Sequence, residues 1–247
     1  MKKIICFDIW GVYAHFRRIY TTTSPLTYSI PPRTAISGMI GAIIGLSKEN
    51  NEYLKYFKKE DSKIALRIIL PIRKVRIPIN LINTKEAMGP GMNIIKTRTQ
   101  IRFEFLKSPK YRIYFWHKDS CIYERLKKYL INHKSYYTPS LGLSENIANF
   151  EYVSESGIEK RDEKGYSSIH SVLPLDKVSL ENGIDISKQD REYFKERIPI
   201  FMNCERIVQK YSDVLFERNG LNISVKLNCP YYEVSIQKDS DNILFLE

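Results

Sequence analysis

Two stretches and one dipeptide carry side chains whose types and spacing suit an anionic ligand. The first is Ser24 to Leu46, SPLTYSIPPRTAISGMIGAIIGL. Pro31 and Pro32 hold the approach extended, and Pro32 suits the first helical position, so a helix is expected from about Pro32. Arg33, Thr34 and Ser37 then fall on or near its first turns, where unpaired N–H groups and the positive end of the helix dipole favour a phosphate. The second stretch, GVYAHFRRIY, interleaves Tyr13, His15, Phe16 and Tyr20 with Arg17 and Arg18. Aromatic rings and guanidinium planes stack on unpaired bases while the charge follows the phosphates, which suits RNA; a solvated loop with two chance arginines is the alternative. The dipeptide is His117-Lys118. A metal-independent ribonuclease needs a base for the 2′-OH and a cation for the phosphorane. His15 beside Arg17 and Arg18, or His117 with Lys118 and Tyr28, are the candidates for those parts, against the plainer reading of a solvated turn.

Other chemistries find no support. The four histidines are scattered, with no H-x-x-x-H, no H-E pair and no carboxylate cluster at ligand spacing, so no metal and no other cofactor is expected. Neither G-x-x-x-x-G-K-[ST] nor G-x-G-x-x-G occurs. The four cysteines are isolated, without C-x-x-C, and read as small hydrophobes.

The elements that must position these residues come from a chain of 247 residues, 43% hydrophobic and 12% aromatic, which is expected to fold. Net charge is +11, unevenly spread: residues 1–118 carry +15 and residues 119–247 carry −4. A field of that sign recruits a polyanion, nucleic acid before anionic membrane. No run approaches the roughly 18 apolar residues of a spanning helix, and the start of the chain is unlike a signal peptide, so a cytoplasmic protein without a membrane partner is expected.

Lys3 to Trp10 reads as a central strand. Along the helix that follows, Ile36, Met39, Ile40, Ile43 and Ile44 form an apolar stripe, while Ala35, Gly38, Gly41, Ala42 and Gly45 keep the other side small. Either a ligand or a packed neighbour must approach that side closely, and Gly45 also suits a C-cap. Asn51 to Lys59 is expected as a short helix and Lys63 to Leu70 as a strand. IRKVRIP and the alternating run Lys96 to Phe105 predict a hairpin with one basic face. Tyr111 to Trp116, Cys121 to Leu130 and Ile147 to Val153 complete the order strand, helix, strand, strand, helix, strand. The class is therefore α+β: a ferredoxin-like (RRM-like) N-terminal domain over residues 1–155. Residues 156–247 are expected as a smaller β-rich domain with one helical stretch near Asp190 to Glu196.

FDIWGVYAHFRR, TSPLTYSIPPRTAISGMIGAIIGL and TPSLGLSENIANF resemble the fifth family of CRISPR-associated (Cas) proteins, within the RAMP superfamily, most closely its type I-B Cascade members. The resemblance covers residues 1 to about 155. It implies a subunit that holds the 5′ handle of a CRISPR RNA, caps the filament of backbone subunits and contacts the large subunit, meeting target DNA only indirectly. Arg17, Arg18, Ser24, Tyr28, Arg33, Thr34 and Ser37 would hold the handle, with Gly142 in the family's glycine-containing loop. It also implies a thumb at about 78–97 with Lys85 near its tip, Met88 and Met92 as a wedge, and Arg73, Lys74, Arg76, Lys96 and Arg98 along its stem. Relatives from type I-C systems cleave guide precursors with a Tyr, Lys and His set, whereas type I-B systems use a separate endoribonuclease. The resemblance therefore favours a non-catalytic role, with precursor cleavage as the alternative.

Overall fold

The computed structural model describes residues 2–21, 24–82, 98–187, 189–236 and 239–247. Lys3–Trp10 forms β1, in the interior of a six-stranded sheet. Its residues are apolar almost without break because both faces are covered. Ile5, Phe7 and Ile9 face the main core with Leu66, Ile113 and Phe115, while Ile4 and Cys6 face a second cluster with Tyr114, Val234 and Phe245. Asp8 is the exception, and Arg112 and Lys110 neutralise it.

The sheet contains β3 (Ser62–Ile68), β6 (Lys110–His117), β7 (Asn149–Arg161), β13 (Tyr231–Ile236) and β14 (Asp239–Ile243), in the order β14-β13-β7-β1-β6-β3. All its pairings are antiparallel. Helices α1 (Arg33–Ile44) and α2 (Ser120–Ile131) lie on the main-core side, giving a mixed α/β, strand-rich chain. Pro32 is the N-cap of α1 with φ −58° and ψ 153°, one residue outside the helix, and Gly45 ends it at φ 75°.

The boundary expected at 155/156 falls inside β7. Its first part pairs β1 as far as Lys3↔Gly157, and its second pairs β13 from Ile158 to Arg161. Val172, Ile198, Val214, Phe216 and Leu246 then join the same core as β1 and α1. The C-terminal third is β-rich as expected, adding β8 (Tyr166–Ile169), β9 (Leu173–Pro174), β10 (Tyr193–Met202), β11 (Val208–Glu217) and β12 (Ile223–Lys226). Part of it shares this core, and part packs a cluster of its own from Ile169, Leu173, Val178, Leu215, Ile223, Val225, Tyr231 and Leu244.

Two local expectations differ from the structure, the first in helix type and the second in kind. Residues Glu49–Phe57 form 3-10 turns broken at Asn50 and Asn51, with φ 50° and 54°, a conformation asparagine tolerates better than most residues. The helical stretch expected near Asp190 to Glu196 is a turn, with Asp190 at φ 61°, leading into β10. Pairing of Tyr193↔Glu217 through Met202↔Val208 overrides the local preference.

The hairpin is present, as β4 (Lys74–Ile82) against β5 (Arg98–Lys107), from Lys74↔Leu106 to Ile82↔Arg98. The short β2 (Tyr13–Ala14) pairs with its base. Register places Arg76, Arg98 and Arg102 on one face, and Ile77, Ile79, Ile101 and Phe103 on the other. The tip residues Lys85, Met88 and Met92, with Lys96, lie outside the described residues.

Arg33 is the main correction at the helix start. It does begin α1, but its side chain turns inward and is 1% exposed. Its guanidinium donates to the Phe57 carbonyl (2.8 Å), the Ser62 carbonyl (3.1 Å) and Ser62 Oγ (2.8 Å), and stacks 4.2 Å from the Phe201 ring centroid. It ties α1 to the 3-10 segment, β3 and β10. Burial pushes its pKa down to about 10, so it remains charged at neutral pH. Arg33→Ala strips donors from buried carbonyls, each worth about 1–3 kcal/mol. Urea unfolding should register a loss of about 3 kcal/mol or more; a change under about 0.5 kcal/mol would show Arg33 to be a surface group.

Candidate nucleic-acid interface

The small-residue side of α1 faces open space. Thr34, Ala35, Gly38, Gly41 and Ala42 floor a cleft of about 820 Å3. A Cβ at Gly38 would come no nearer than 3.9 Å, to the Tyr53 hydroxyl, and one at Gly41 no nearer than 3.6 Å, again to Tyr53. These are ordinary contacts, so packing within the chain does not demand glycine at either position.

Four segments build the walls. The 3-10 segment contributes Tyr53, with Lys48 just ahead of it. The end of β10 contributes Met202, and the turn that follows contributes Arg206. The chain after α2 contributes Tyr137, whose N–H donates to the Ala42 carbonyl (3.0 Å), and Gly142. The connection after β2 contributes Phe16 and Arg17. Gly142 has φ 98°, and a Cβ there would lie 1.9 Å from the His15 carbonyl oxygen. Only glycine lets that loop cross the 15–16 backbone so closely, a crossing secured by His15 N–H donating to the Leu141 carbonyl (2.9 Å).

Three cations on these walls have no carboxylate partner among the described residues. Among the described residues, exposed Arg17 donates to the Thr21 carbonyl (3.1 Å) and to no carboxylate, while Lys48 and Arg206 make no ion pair. Glu49 is the one acid among the described residues of the lining. The cleft is therefore a cationic channel with an apolar, backbone-lined floor and tyrosines at its sides. Such a surface tracks a phosphate backbone and stacks unpaired bases.

Of the residues expected to bind RNA, Arg17, Tyr28, Thr34 and Gly142 come together here. Tyr28 contributes from a ring that is 3% exposed. Others are already committed to the protein. Arg18 pairs with Glu196, donates to the Thr27 carbonyl (3.1 Å) and packs over Tyr28. Ser37 is buried and donates back to the Arg33 carbonyl (3.0 Å). Lys74 is held by Glu104 (3.2 Å) and the Thr27 carbonyl (3.1 Å). Ser24 is exposed but outside the cleft lining. Arg73, Arg76 and Arg98 are exposed at the base and on the basic face of the hairpin, with no ion pair among the described residues. Lys48, Tyr53, Tyr137 and Arg206 were not anticipated; only tertiary folding brings them to the cleft, although the Tyr136-Tyr137 pair ahead of the glycine loop was a legible cue.

Of the groups considered for cleavage, His15 and Tyr28 line the cleft with Arg17, whereas His117 and Lys118 do not. His117 donates from Nε2 to the Tyr56 carbonyl (2.7 Å) and accepts at Nδ1 from Asp119 N–H (2.9 Å), so neither nitrogen is available to a substrate. Lys118 is exposed, and neither residue lines the cleft. His15 is 1% exposed, donates from Nδ1 to the Glu104 carbonyl (2.7 Å) and packs against Phe103 and Phe105, leaving Nε2 buried without a partner. Among the described residues no group of three or more His, Cys, Asp or Glu could hold a metal ion, and no helix is long and apolar enough to cross a membrane.

The family described as CRISPR-associated protein (Cas_Cas5) matches residues 4–214. A crystal structure of a CRISPR protein from Archaeoglobus fulgidus is similar over 99% of this chain and 100% of its own, at 15% identity and a TM-score of 0.54. A chain of a CRISPR RNA-guided surveillance complex is similar over 90% of this chain and 91% of its own, at 10% identity and a TM-score of 0.54. At these identities the likeness is one of fold. No curated protein matches the chain.

Burial lowers the pKa of His15, and that of His170, below the ordinary value of 6.5. A depressed folded-state pKa gives stability that is full above the unfolded value and is lost as pH falls below it toward the folded one. The urea midpoint should therefore drop between about pH 7 and pH 5. The drop should be smaller in His15→Asn, which keeps a donor for the Glu104 carbonyl. An identical pH profile in that variant would show that His15 titrates normally.

Proposed function

Because the chain belongs to the CRISPR-associated protein (Cas_Cas5) family, we propose that it is a guide-holding subunit of a type I, I-B-like Cascade effector, gripping the 5′ handle of a CRISPR RNA without cutting it. The observation that carries this reading is the cleft on α1, where Arg17, Lys48 and Arg206 stand without carboxylate partners among the described residues, beside Tyr53 and Tyr137. Affinity then comes mainly from phosphates, and the tyrosines and bare helix backbone take the bases. The arrangement β7-β1-β6-β3 with α1 and α2 on one side is read as a ferredoxin-like core.

The hairpin serves as the root of the thumb. Arg76, Arg98 and Arg102 on one face suit the guide's sugar-phosphate backbone, and the apolar face suits the neighbouring backbone subunit whose filament this protein caps. Contact with the large subunit belongs to the same reading, as do an indirect relation to target DNA and action in the cytoplasm. The non-cleaving role is supported by His117, whose ring nitrogens are both engaged, and by the burial of His15.

Repeat-derived RNA should bind with a log-log salt dependence of about −0.7 per phosphate neutralised, and should be recovered intact without metal. The double variant Arg17→Ala, Arg206→Ala should bind more weakly and flatten that slope by about 0.7 for each phosphate no longer neutralised. Unchanged affinity and slope would remove the cleft from consideration. A 2′,3′-cyclic phosphate product would replace the scaffold reading with the nuclease one.

A further inference from the structure

A second cavity, of about 420 Å3, lies on the other side of the first turn of α1, and Thr34 and Met202 form part of both cavity walls. We propose that this second cavity is a phosphate site that receives the same RNA strand as it leaves the cleft. The proposal rests on the RNA-binding reading above and extends it to a separate place on the molecule. The phosphate comes either from an internal phosphodiester or from a terminal phosphate; the chemistry recognised is the same.

Arg33 is one of the residues lining the cavity, and its guanidinium is an unusual group. It is 1% exposed, its donors reach only neutral acceptors on Phe57 and Ser62, and its Nε has no partner. No carboxylate lies within ion-pairing distance of it among the described residues. A buried cation held only by neutral dipoles leaves an uncompensated positive field.

The first turn of α1 adds to that field. It carries no acidic residue, and its N-cap, Pro32, supplies no side-chain bond. The positive end of the helix thus meets no acidic side chain of its own first turn and no capping side chain. At the rim Lys58 and Lys59 are exposed and make no ion pair among the described residues, whereas the Lys210 ammonium is already spent on the Glu247 carbonyl (2.8 Å). Against these stands one carboxylate among the described lining residues, Glu60, which is exposed. The Glu247 carboxylate acts on Arg33 only from a distance and is itself paired with Lys63. The balance of charge is therefore cationic at the floor, the helix end and the rim, which is what a phosphate requires.

The test uses the full-length chain and repeat-derived RNA. Lys58→Ala, Lys59→Ala alters exposed side chains and should leave folding intact, yet should flatten the log-log salt slope by about 0.7. Gln209→Glu, which sets a carboxylate in the wall, should weaken binding in the same way. A scan of single neutral methylphosphonate linkages should find one position that weakens binding to the unaltered protein and not to the double lysine variant. Sensitivity instead to removal of a 5′-phosphate would identify the terminal group as the source. If both variants bind like the parent while Arg17→Ala, Arg206→Ala does not, the second site is overturned and the cleft stands. If the unaltered chain fails to bind RNA, both readings fall.

Discussion

The Glu196 carboxylate decides how the connection ahead of α1 is held, and with it which cations remain available. It sits on β10, 9% exposed, and accepts from Ser29 N–H (2.9 Å) and Ser29 Oγ (2.7 Å) while pairing with Arg18. Tyr111 from β6 clamps the same turn by donating to the Ser29 carbonyl (3.0 Å). A carboxylate this enclosed must have its lone pairs satisfied, and the loop before the helix supplies the donors. The approach to α1 is thus pinned against a strand that lies more than 160 positions later in the chain.

That pinning sorts the arginines. Arg18 is drawn inward to Glu196 while its neighbour Arg17 is left facing solvent, lining the same cleft as Lys48 and Arg206 from distant segments. Arg33 is sorted inward as well, toward Phe201 and Ser62. The net charge of +11 accordingly overstates what a ligand encounters. A count of basic residues in the first half cannot distinguish a cation that holds the fold from one that meets an anion; burial and the identity of the acceptors do.

What could be read from the residues follows from locality. β1 was legible because burial on both faces leaves a continuous apolar run, and the hairpin because alternation of period two survives along β5. The limits of α1 were legible from Pro32 and Gly45. Beyond those, long-range contacts prevailed. The direction in which Arg33 turns depends on Phe201, the strand character of β10 depends on β11, and the left-handed Asn50-Asn51 pair has no periodic signature. Lys48, Tyr53, Tyr137 and Arg206 could not be grouped in advance, since nothing in their spacing brings them together. The division near 155 was inferred from a change in polarity; the position falls inside β7, where that strand passes from one partner to the next, and a separate apolar cluster does gather residues beyond it.

The continuity of β7 bears on how the protein comes to exist at all. During synthesis β1, α1, β3 and β6 emerge early, but the face of β1 that carries Ile4 and Cys6 stays bare until Val234, Ile243 and Phe245 have left the ribosome. Nascent chains exposing such a surface are prone to stick to one another, so the burden on chaperones should be greatest in the interval before the last strands arrive.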